Sequence, residues 1–274
     1  MRIDQELIKN LEAQAKIVRR DIIQMLTKAA SGHPGGSLSC ADLIAALYFH
    51  VMRHDAKRPD WSDRDRFLLS KGHCAPAWYS VLARSGYFPA TWLDALRKLN
   101  HPLQGHPDML KTTGVEMSSG SLGQGLSIAN GMALAARLDR KSYRIYVLMG
   151  DGEIQEGQVW EAAMTASHHK LDNLCAIIDN NGLQIDGHTE EIKSLGSISE
   201  KWISFGWNAI DIDGHDMRQI LQALKMAEET KGKPSIIVAK TTKGKGVSFM
   251  ENQVDFHGVA PTAEECVRAL AELE

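Results

Sequence analysis

Apolar strands that alternate with helices most constrain how this chain can fold. Short apolar runs predict strands at 66–70, 143–149, 174–179, 207–212 and 235–240. Helical periodicity lies between them, notably at 155–169 and 216–230. Runs as continuously apolar as "YRIYVLM" and "LCAIID" are typical of a parallel sheet that helices cover on both faces. The sequence therefore predicts an α/β fold.

Further helices are predicted before and between these strands. Leu7 to Met25 have helical spacing, so a long first helix should end near Ser31-Gly32, before the loop "SGHPGGS". Ser39 and Asp42 resemble a capping box that opens the next helix. Helices are also expected over "CAPAWYSVLARSGY" and "ATWLDALRKLN", after "SSGSLGQGL" and at the carboxyl-terminal end. No repeat or linker divides the chain, so we expect residues 1–274 to form a single domain.

Composition indicates neither nucleic-acid nor membrane binding. The 274 residues carry 31 basic and 34 acidic side chains without a block of either sign, and 43% are apolar. No apolar run approaches the length of a membrane span, and the first residues lack the core of a signal peptide. We expect a soluble, cytoplasmic protein. Its scattered cysteines should be reduced and mostly buried: Cys40, Cys74, Cys175 and Cys266.

Two predicted strands end on small polar residues, namely Gly150-Asp151-Gly152 and Asn180-Asn181-Gly182. Ligands of parallel sheets bind outside the carboxyl ends of the strands, so Asp151 and Asn181 should face one crevice if these strands are neighbours. A carboxylate and an amide oxygen suit Mg²⁺, whose remaining positions are often filled by water and phosphate. The glycines leave room for a phosphate near a helix that begins about Gln155. Turn chemistry alone would also explain either tripeptide.

The spacing of these two tripeptides resembles the thiamine diphosphate signature of the transketolase family. Further strings occur in the family's order: "SGHPGGS", "KGH", "QGHPD", "SSGSLGQG", "KTTKGKG" and a final "HG". The resemblance covers nearly the whole chain and corresponds to the diphosphate-binding half of transketolases. It implies the thiamine diphosphate-binding fold, with thiamine diphosphate and Mg²⁺ as cofactors.

Four of the eleven histidines lie in these strings, and each of the four stands beside a glycine: His33, His73, His106 and His257. Glycine lets an imidazole approach a small ligand, although a histidine in such a place is often only a loop residue. The resemblance implies that His73 lies at the diphosphate and thiazolium end of the cofactor. It places the other three along the sugar channel, where imidazoles exchange protons with sugar hydroxyls, and His257 also near the cofactor.

The resemblance also implies the remaining site residues. Asp151, Asn181 and the backbone carbonyl of Leu183 would bind the metal. Glu156 would lie at a subunit interface between two cofactor sites and assist catalysis. Further cofactor contacts are implied for Gly120, Ser121, Leu122, Gly152, Asn181 and Ile185. Ser121 departs from the proline that is common in the family.

The implied activity is transfer of a two-carbon ketol unit from a ketose phosphate to an aldose phosphate. In transketolases a second domain activates the pyrimidine ring and grips the sugar phosphate. Only "GVAPTAEECVRALAELE" follows His257, so the pyrimidine-binding and C-terminal domains are expected on a separate subunit. We expect an α2β2 heterotetramer, and self-association as a homodimer in isolation.

Three alternatives remain open at this point. The chain could be a subunit of another thiamine diphosphate-dependent ketol or acyl transferase, such as half of a deoxyxylulose phosphate synthase. It could be a silent binding subunit with the same fold, although the intact metal ligands and histidines disfavour this. A nicotinamide dehydrogenase is disfavoured because no G-x-G-x-x-G follows an early strand.

Overall fold

A parallel five-stranded sheet organises residues 3–274, which are the residues described by the computed structural model. Along the chain the strands are β1 (Arg66–Leu69), β2 (Ile145–Gly150), β3 (Leu174–Asn180), β4 (Leu183–Gln184), β5 (Gly187–His188), β6 (Asn208–Asp213) and β7 (Ser235–Lys240). The sheet order is β1-β2-β3-β7-β6, and β4 and β5 form a small separate hairpin. The predicted parallel sheet is confirmed, and each predicted strand agrees with the observed one to within two residues.

Apolar side chains cover both faces of the sheet because successive residues of a strand point to opposite sides. In β2, Ile145, Val147 and Met149 belong to one buried cluster, whereas Tyr146 and Leu148 belong to the other. Neither face is left for water. This explains why the strands are continuously apolar and do not alternate with polar residues.

Helices form the layers that bury these two faces. The helices are α1 (Gln5–Ala29), α2 (Pro34–Ser39), α3 (Ala41–Ala46), α4 (Ala75–Arg84), α5 (Gly125–Leu138), α6 (Gly157–His168), α7 (Thr189–Lys193), α8 (Ile198–Ser204), α9 (Met217–Glu229) and α10 (Ala263–Glu272). The cluster that contains Tyr146 and Leu148 includes residues of α1, α3, α4 and α9. The cluster that contains Ile145, Val147 and Met149 includes residues of α5, α6 and α8.

The segment that was predicted as the loop "SGHPGGS" is largely helical. Helix α2 spans Pro34–Ser39, and all six of its residues are buried. Proline suits the first turn of a helix, and tertiary burial overrides the low helical propensity of the two glycines. The predicted capping box is also wrong, because α3 has no side-chain cap. Ser39 instead donates a hydrogen bond to Asp179, and Asp42 pairs with Arg19.

Two other helix predictions were only partly correct. The segment "ATWLDALRKLN" forms a 3₁₀ helix over Ala90–Ala95 and then turns, with left-handed backbone at Arg97 and Asn100. The helix expected from about Gln155 begins at Gly157, after a separate 3₁₀ turn over Glu153–Gln155. The second of these segments carries Glu156, which is one of the predicted site residues.

The thiols agree with the sequence expectation. All four cysteines are free, and three of them, Cys40, Cys74 and Cys175, are buried. Between residues 3 and 274, no helix has the length and apolar character needed to cross a bilayer.

A buried ion pair links helices on one face of the sheet. Arg19 in α1 donates two hydrogen bonds to Asp42 in α3, at 3.0 and 2.5 Å. His215, just before α9, lies 2.8 Å from the same carboxylate through Nδ1 and accepts a hydrogen bond from the Thr242 amide through Nε2. Nδ1 therefore carries the proton and donates it to Asp42.

We predict that Asp42→Ala lowers the free energy of unfolding by about 3–5 kcal/mol, because it leaves the Arg19 guanidinium buried without its partner. Asp94→Ala is the matched control, since Asp94 and Lys28 form an exposed pair whose loss should cost less than about 1 kcal/mol. Chemical denaturation of both variants measures the difference. Equal costs would contradict a structural role for the buried pair.

Candidate active site

The carboxyl ends of β2 and β3 bring the two polar tripeptides together. These strands are neighbours, with Gly150 paired to Asp179. The Asp151 carboxylate accepts one hydrogen bond from the Gly152 amide at 2.8 Å and another from the Gly182 amide at 2.6 Å. Asp151 therefore joins the loop after β2 to the loop after β3, and Asp151 and Asn181 face one cavity.

Asp151 is buried without a cationic partner among the ion pairs of the described residues. It is 2% exposed, and burial, followed by the nearby charge of Asp179, raises its pKa to about 6. The Asn181 amide oxygen accepts from the Leu183 amide at 3.2 Å. Within residues 3–274 no three His, Cys, Asp or Glu side chains are grouped to hold a metal. A cation at this place would be held by the Asp151 carboxylate, the Asn181 amide oxygen and the Leu183 backbone carbonyl.

The four histidines singled out in the sequence, His33, His73, His106 and His257, converge beside this edge of the sheet. Ring centroids lie 5.2 Å apart for His33 and His73, 5.5 Å for His33 and His257, 5.5 Å for His73 and His257, and 6.5 Å for His33 and His106. These four rings line one cavity, and none of the other seven histidines lines it. The sequence grouping therefore corresponds to a real cluster in space.

Burial favours the neutral form of three of these imidazoles, those of His33, His106 and His257. It lowers the pKa of His33 to about 4 and that of His257 to about 3, and it lowers the pKa of His106 in the same direction. Charge on neighbouring groups lowers all three further. The neighbour that contributes most to this lowering is His73 for His33 and His106. For His257 it is Lys243, followed by His73. At neutral pH these three rings are therefore uncharged.

These groups surround a cavity of about 370 Å³. Every predicted site residue except Ser121 lines it: His33, His73, His106, Gly120, Leu122, Asp151, Gly152, Glu156, Asn181, Leu183, Ile185 and His257. Ser121 is exposed beside the lining residues. A larger opening of about 700 Å³ lies past β6 and β7, but it contains none of the clustered histidines.

Gly120 shows why this part of the wall needs a glycine. Its φ is +152°, and an added Cβ would meet the His106 ring at 3.4 Å. A side chain here would be strained and would crowd an imidazole that faces the cavity.

Two buried lysines were missed from the sequence. Lys71 donates to the Gly36 carbonyl at 3.0 Å and forms an ion pair with Asp179. Although burial disfavours the ammonium, this carboxylate holds the pKa of Lys71 well above its ordinary value. Asp179 also accepts hydrogen bonds from Ser39 and Thr241. Asp179 thus joins α2, β3 and the segment after β7 beneath the cavity.

The second lysine, Lys243, contacts two predicted site residues. Its Nζ lies 3.3 Å from the Leu183 carbonyl oxygen and 2.8 Å from Nδ1 of His257. Burial lowers its pKa to about 8. Because an ammonium only donates, His257 accepts through Nδ1, and Nε2 carries the proton of the neutral ring. The strings "KGH" and "KTTKGKG" contain both lysines, and their position beside turn glycines was the signal available.

Glu153 holds the Gly-rich loop against the sheet and was also missed. Its buried carboxylate accepts from the Gly123 amide at 2.9 Å, from the Gly150 amide at 3.0 Å and from the Ser70 hydroxyl. Burial raises its pKa. One side chain thus connects the end of β1, the end of β2 and the loop that carries Gly120.

We predict that Glu153→Ala lowers the free energy of unfolding by about 3 kcal/mol, because two buried amides and a hydroxyl lose their acceptor. Hydrogen exchange should accelerate at the Gly123 and Gly150 amides in particular. Glu161→Ala, at an exposed position of α6, is the control and should leave both amides protected. Unchanged exchange at these amides in Glu153→Ala would show that Glu153 does not hold the loop.

Comparisons with known proteins agree with this geometry. Residues 10–273 match the family described as "Transketolase, thiamine diphosphate binding domain". The chain is similar to the 6-deoxy-6-sulfo-D-fructose transketolase subunit SqwG of Clostridium sp. (strain MSTE9), with 47% identity over 97% of this chain and 96% of the relative. It is also similar to an apulose-4-phosphate transketolase subunit of Phocaeicola vulgatus, with 43% identity over 97% of this chain and 94% of the relative.

Longer transketolases match over only part of their length. Human transketolase is 41% identical over 93% of this chain but 40% of its own. The Campylobacter jejuni transketolase structure superposes with a TM-score of 0.92 and 35% identity, over 100% of this chain and 43% of that one. The Leishmania mexicana structure gives a TM-score of 0.89 and 34% identity, over 97% and 41%. The chain thus spans about two fifths of these proteins.

Proposed function

Because the chain belongs to the transketolase family, in its thiamine diphosphate-binding domain, we propose that it is the N-terminal subunit of a two-chain transketolase. With a separate C-terminal subunit it transfers a two-carbon ketol unit from a ketose to an aldose. The relatives named as subunits support the division, since they match over 94–96% of their own lengths. The proposed assembly is an α2β2 heterotetramer in which Glu156 lies near the interface between two cofactor sites.

The observation that carries this proposal is the meeting of two different groups of residues in one cavity. Carboxylate, amide and carbonyl oxygens lie at the ends of β2 and β3, and a cluster of four imidazoles lies beside them. The first group suits a metal diphosphate, and the second suits proton exchange with hydroxyl groups.

The residues fit Mg²⁺ and a diphosphate. Burial, followed by the nearby charge of Asp179, raises the pKa of the Asp151 carboxyl, and a divalent ion would favour its charged form. Asp151, the Asn181 amide oxygen and the Leu183 carbonyl form an all-oxygen set of the type that Mg²⁺ prefers. Burial lowers the pKa of Lys243, and a nearby anion such as a diphosphate would favour its ammonium form. Lys243, Gly152 and His73 would hold the diphosphate.

Thiamine diphosphate, when bound, supplies the nucleophilic carbon and the electron sink that C–C cleavage requires. This chain would supply proton transfer and orientation. His33 and His106 are neutral at pH 7, so each can accept a proton from a sugar hydroxyl and return it. His257 would present its Nε2 proton as a donor, because Lys243 occupies Nδ1. Leu122 and Ile185 would provide apolar contacts with the cofactor.

The proposed donors are ketoses that carry an anionic group. The two subunit relatives are named for a sulfo sugar and a sugar phosphate. In this proposal the partner subunit holds the sulfonate or phosphate, while His33, His106 and His257 contact the hydroxyl groups that react. Substrate choice at the anionic end is therefore a property of the assembled enzyme.

We predict that the purified chain alone has no ketol transferase activity with saturating thiamine diphosphate and Mg²⁺, and that adding its C-terminal partner restores turnover. A coupled assay with fructose 6-phosphate and 6-deoxy-6-sulfo-fructose as donors measures this. Each subunit would contribute only part of the cofactor site, so neither should suffice. Chelation with EDTA should abolish the restored activity, and added Mg²⁺ should recover it.

Asp151→Ala should abolish turnover in the same assay. Asp186→Ala is the matched control, because Asp186 lines the same cavity but is exposed and is not a proposed ligand. Rapid turnover by the lone chain would refute the division between subunits. An authentic partner that forms the complex without restoring any turnover would favour a silent binding subunit.

A further inference from the structure

Arg97 lies between the two loops that carry His33 and His106. Its Nη1 donates to the Ser31 hydroxyl at 2.8 Å, two residues before His33. On its other side the guanidinium lies against Gly105, where an added Cβ would come within 2.9 Å of Cζ and Nε. Only a glycine next to His106 allows this close packing.

The backbone conformation at Arg97 fixes the position of its side chain. Arg97 has a φ of +61°, a left-handed conformation that is unfavourable for a residue with a side chain. Its amide donates to the Leu103 carbonyl at 2.8 Å, and the Tyr79 hydroxyl donates to the Gln104 carbonyl at 2.8 Å. The loop that leads to His106 is thus closed on Arg97 and anchored to α4.

The guanidinium has no carboxylate partner in the ion pairs found within residues 3–274, so its charge is not neutralised by a direct contact. His33 resists becoming charged, because its buried Nδ1 has no hydrogen-bond partner among the described residues. An imidazolium needs acceptors for both nitrogens. A nearby uncompensated cation adds to that cost.

We propose that Arg97 is a positioning residue that ties the Ser31 loop to the Gly105 loop and, as a fixed cation, adds to the preference of His33 and His106 for the neutral form that proton transfer requires. The inference rests on the proposed function, in which these imidazoles accept protons from sugar hydroxyls. Arg97 does not line the cavity itself. It acts through the two histidines and their loops.

Other charged groups also face these rings. His73 and Cys74 lie in the 3₁₀ turn beside His33, and His257 lies 5.5 Å away across the cavity. The lowered pKa of His33 arises from burial first, then from His73, with Arg97 and His106 adding to it and Cys74 opposing it. For His106 burial also comes first, followed by His73 and Arg97. Arg97 is the permanently charged member of both sets.

The test is a histidine titration of the full chain without substrate. In Arg97→Gln we expect the pKa of both His33 and His106 to rise by about 0.5–1, as expected for loss of one charge several Å away in a partly screened site. Carbon-13 NMR of labelled histidine measures this, with resonances assigned through His33→Gln and His106→Gln. Exposed His168 on α6 is the internal reference and should not move.

Two further variants distinguish the effect of the Arg97 charge from the effect of its hydrogen bond to Ser31. Arg97→Lys and Ser31→Ala keep a cation, so the pKa of both rings should stay close to that of the parent. Arg97→Met supplies a second neutral side chain that can follow the arginine stem past Gly32, in case Arg97→Gln does not fold. An unchanged pKa of His33 and His106 in a folded neutral variant would overturn the proposal.

Kinetics of the assembled enzyme complete the test. Removing the cation raises the pKa of the proton acceptors, so the acid limb of the kcat/KM profile should move to higher pH in Arg97→Gln. Arg97→Lys should restore the parental limb. If the pKa rises but the limb does not move, Arg97 does not act through these histidines in turnover. If the complex lacks ketol transfer altogether, the proposed function fails, while the titration still decides whether Arg97 controls the two rings.

Discussion

The parallel pairing of β2 with β3 is the constraint on which the candidate site depends. Gly150 is paired with Asp179, so the two strands end side by side. The Asp151 carboxylate can therefore accept a hydrogen bond from the Gly182 amide in the next loop. The pairing is fixed by apolar side chains on both faces, since a shifted register would displace both clusters. The strand order therefore determines which polar residues lie together at the edge of the sheet. Glu153 attaches the Gly-rich loop to the same edge by accepting hydrogen bonds from the Gly123 and Gly150 amides.

Much of this architecture could be predicted because it follows from short-range patterns. Continuous apolar runs identified every strand of the large sheet, and the location of Asp151 and Asn181 followed from the rule that ligands bind beyond strand ends. The clustering of the four histidines was predicted through the family resemblance. Their roles in catalysis and cofactor binding stay predictions, as do the contributions of Glu156 and the metal ligands.

What could not be predicted depends on tertiary partners. Helix α2 is poor in helix-forming residues and forms because all six residues are buried. Asp42 does not cap α3, since Arg19 and His215 compete for its carboxylate. Lysines are rarely buried unless paired, so the neighbouring glycines alone were not enough to predict Lys71 and Lys243 as cavity residues. Their partners, Asp179 and His257, are distant in sequence.

The central claim is that this chain binds the metal and diphosphate end of the cofactor through the ends of β2 and β3. Crystals of the chain with its partner, thiamine diphosphate and Mn²⁺ in place of Mg²⁺ would locate the ion by its anomalous scattering. The account predicts one strong peak within about 2.0–2.3 Å of an Asp151 carboxylate oxygen, the Asn181 amide oxygen and the Leu183 carbonyl oxygen. A peak elsewhere in a complex with bound cofactor, or bound cofactor with no ion at these oxygens, would contradict it.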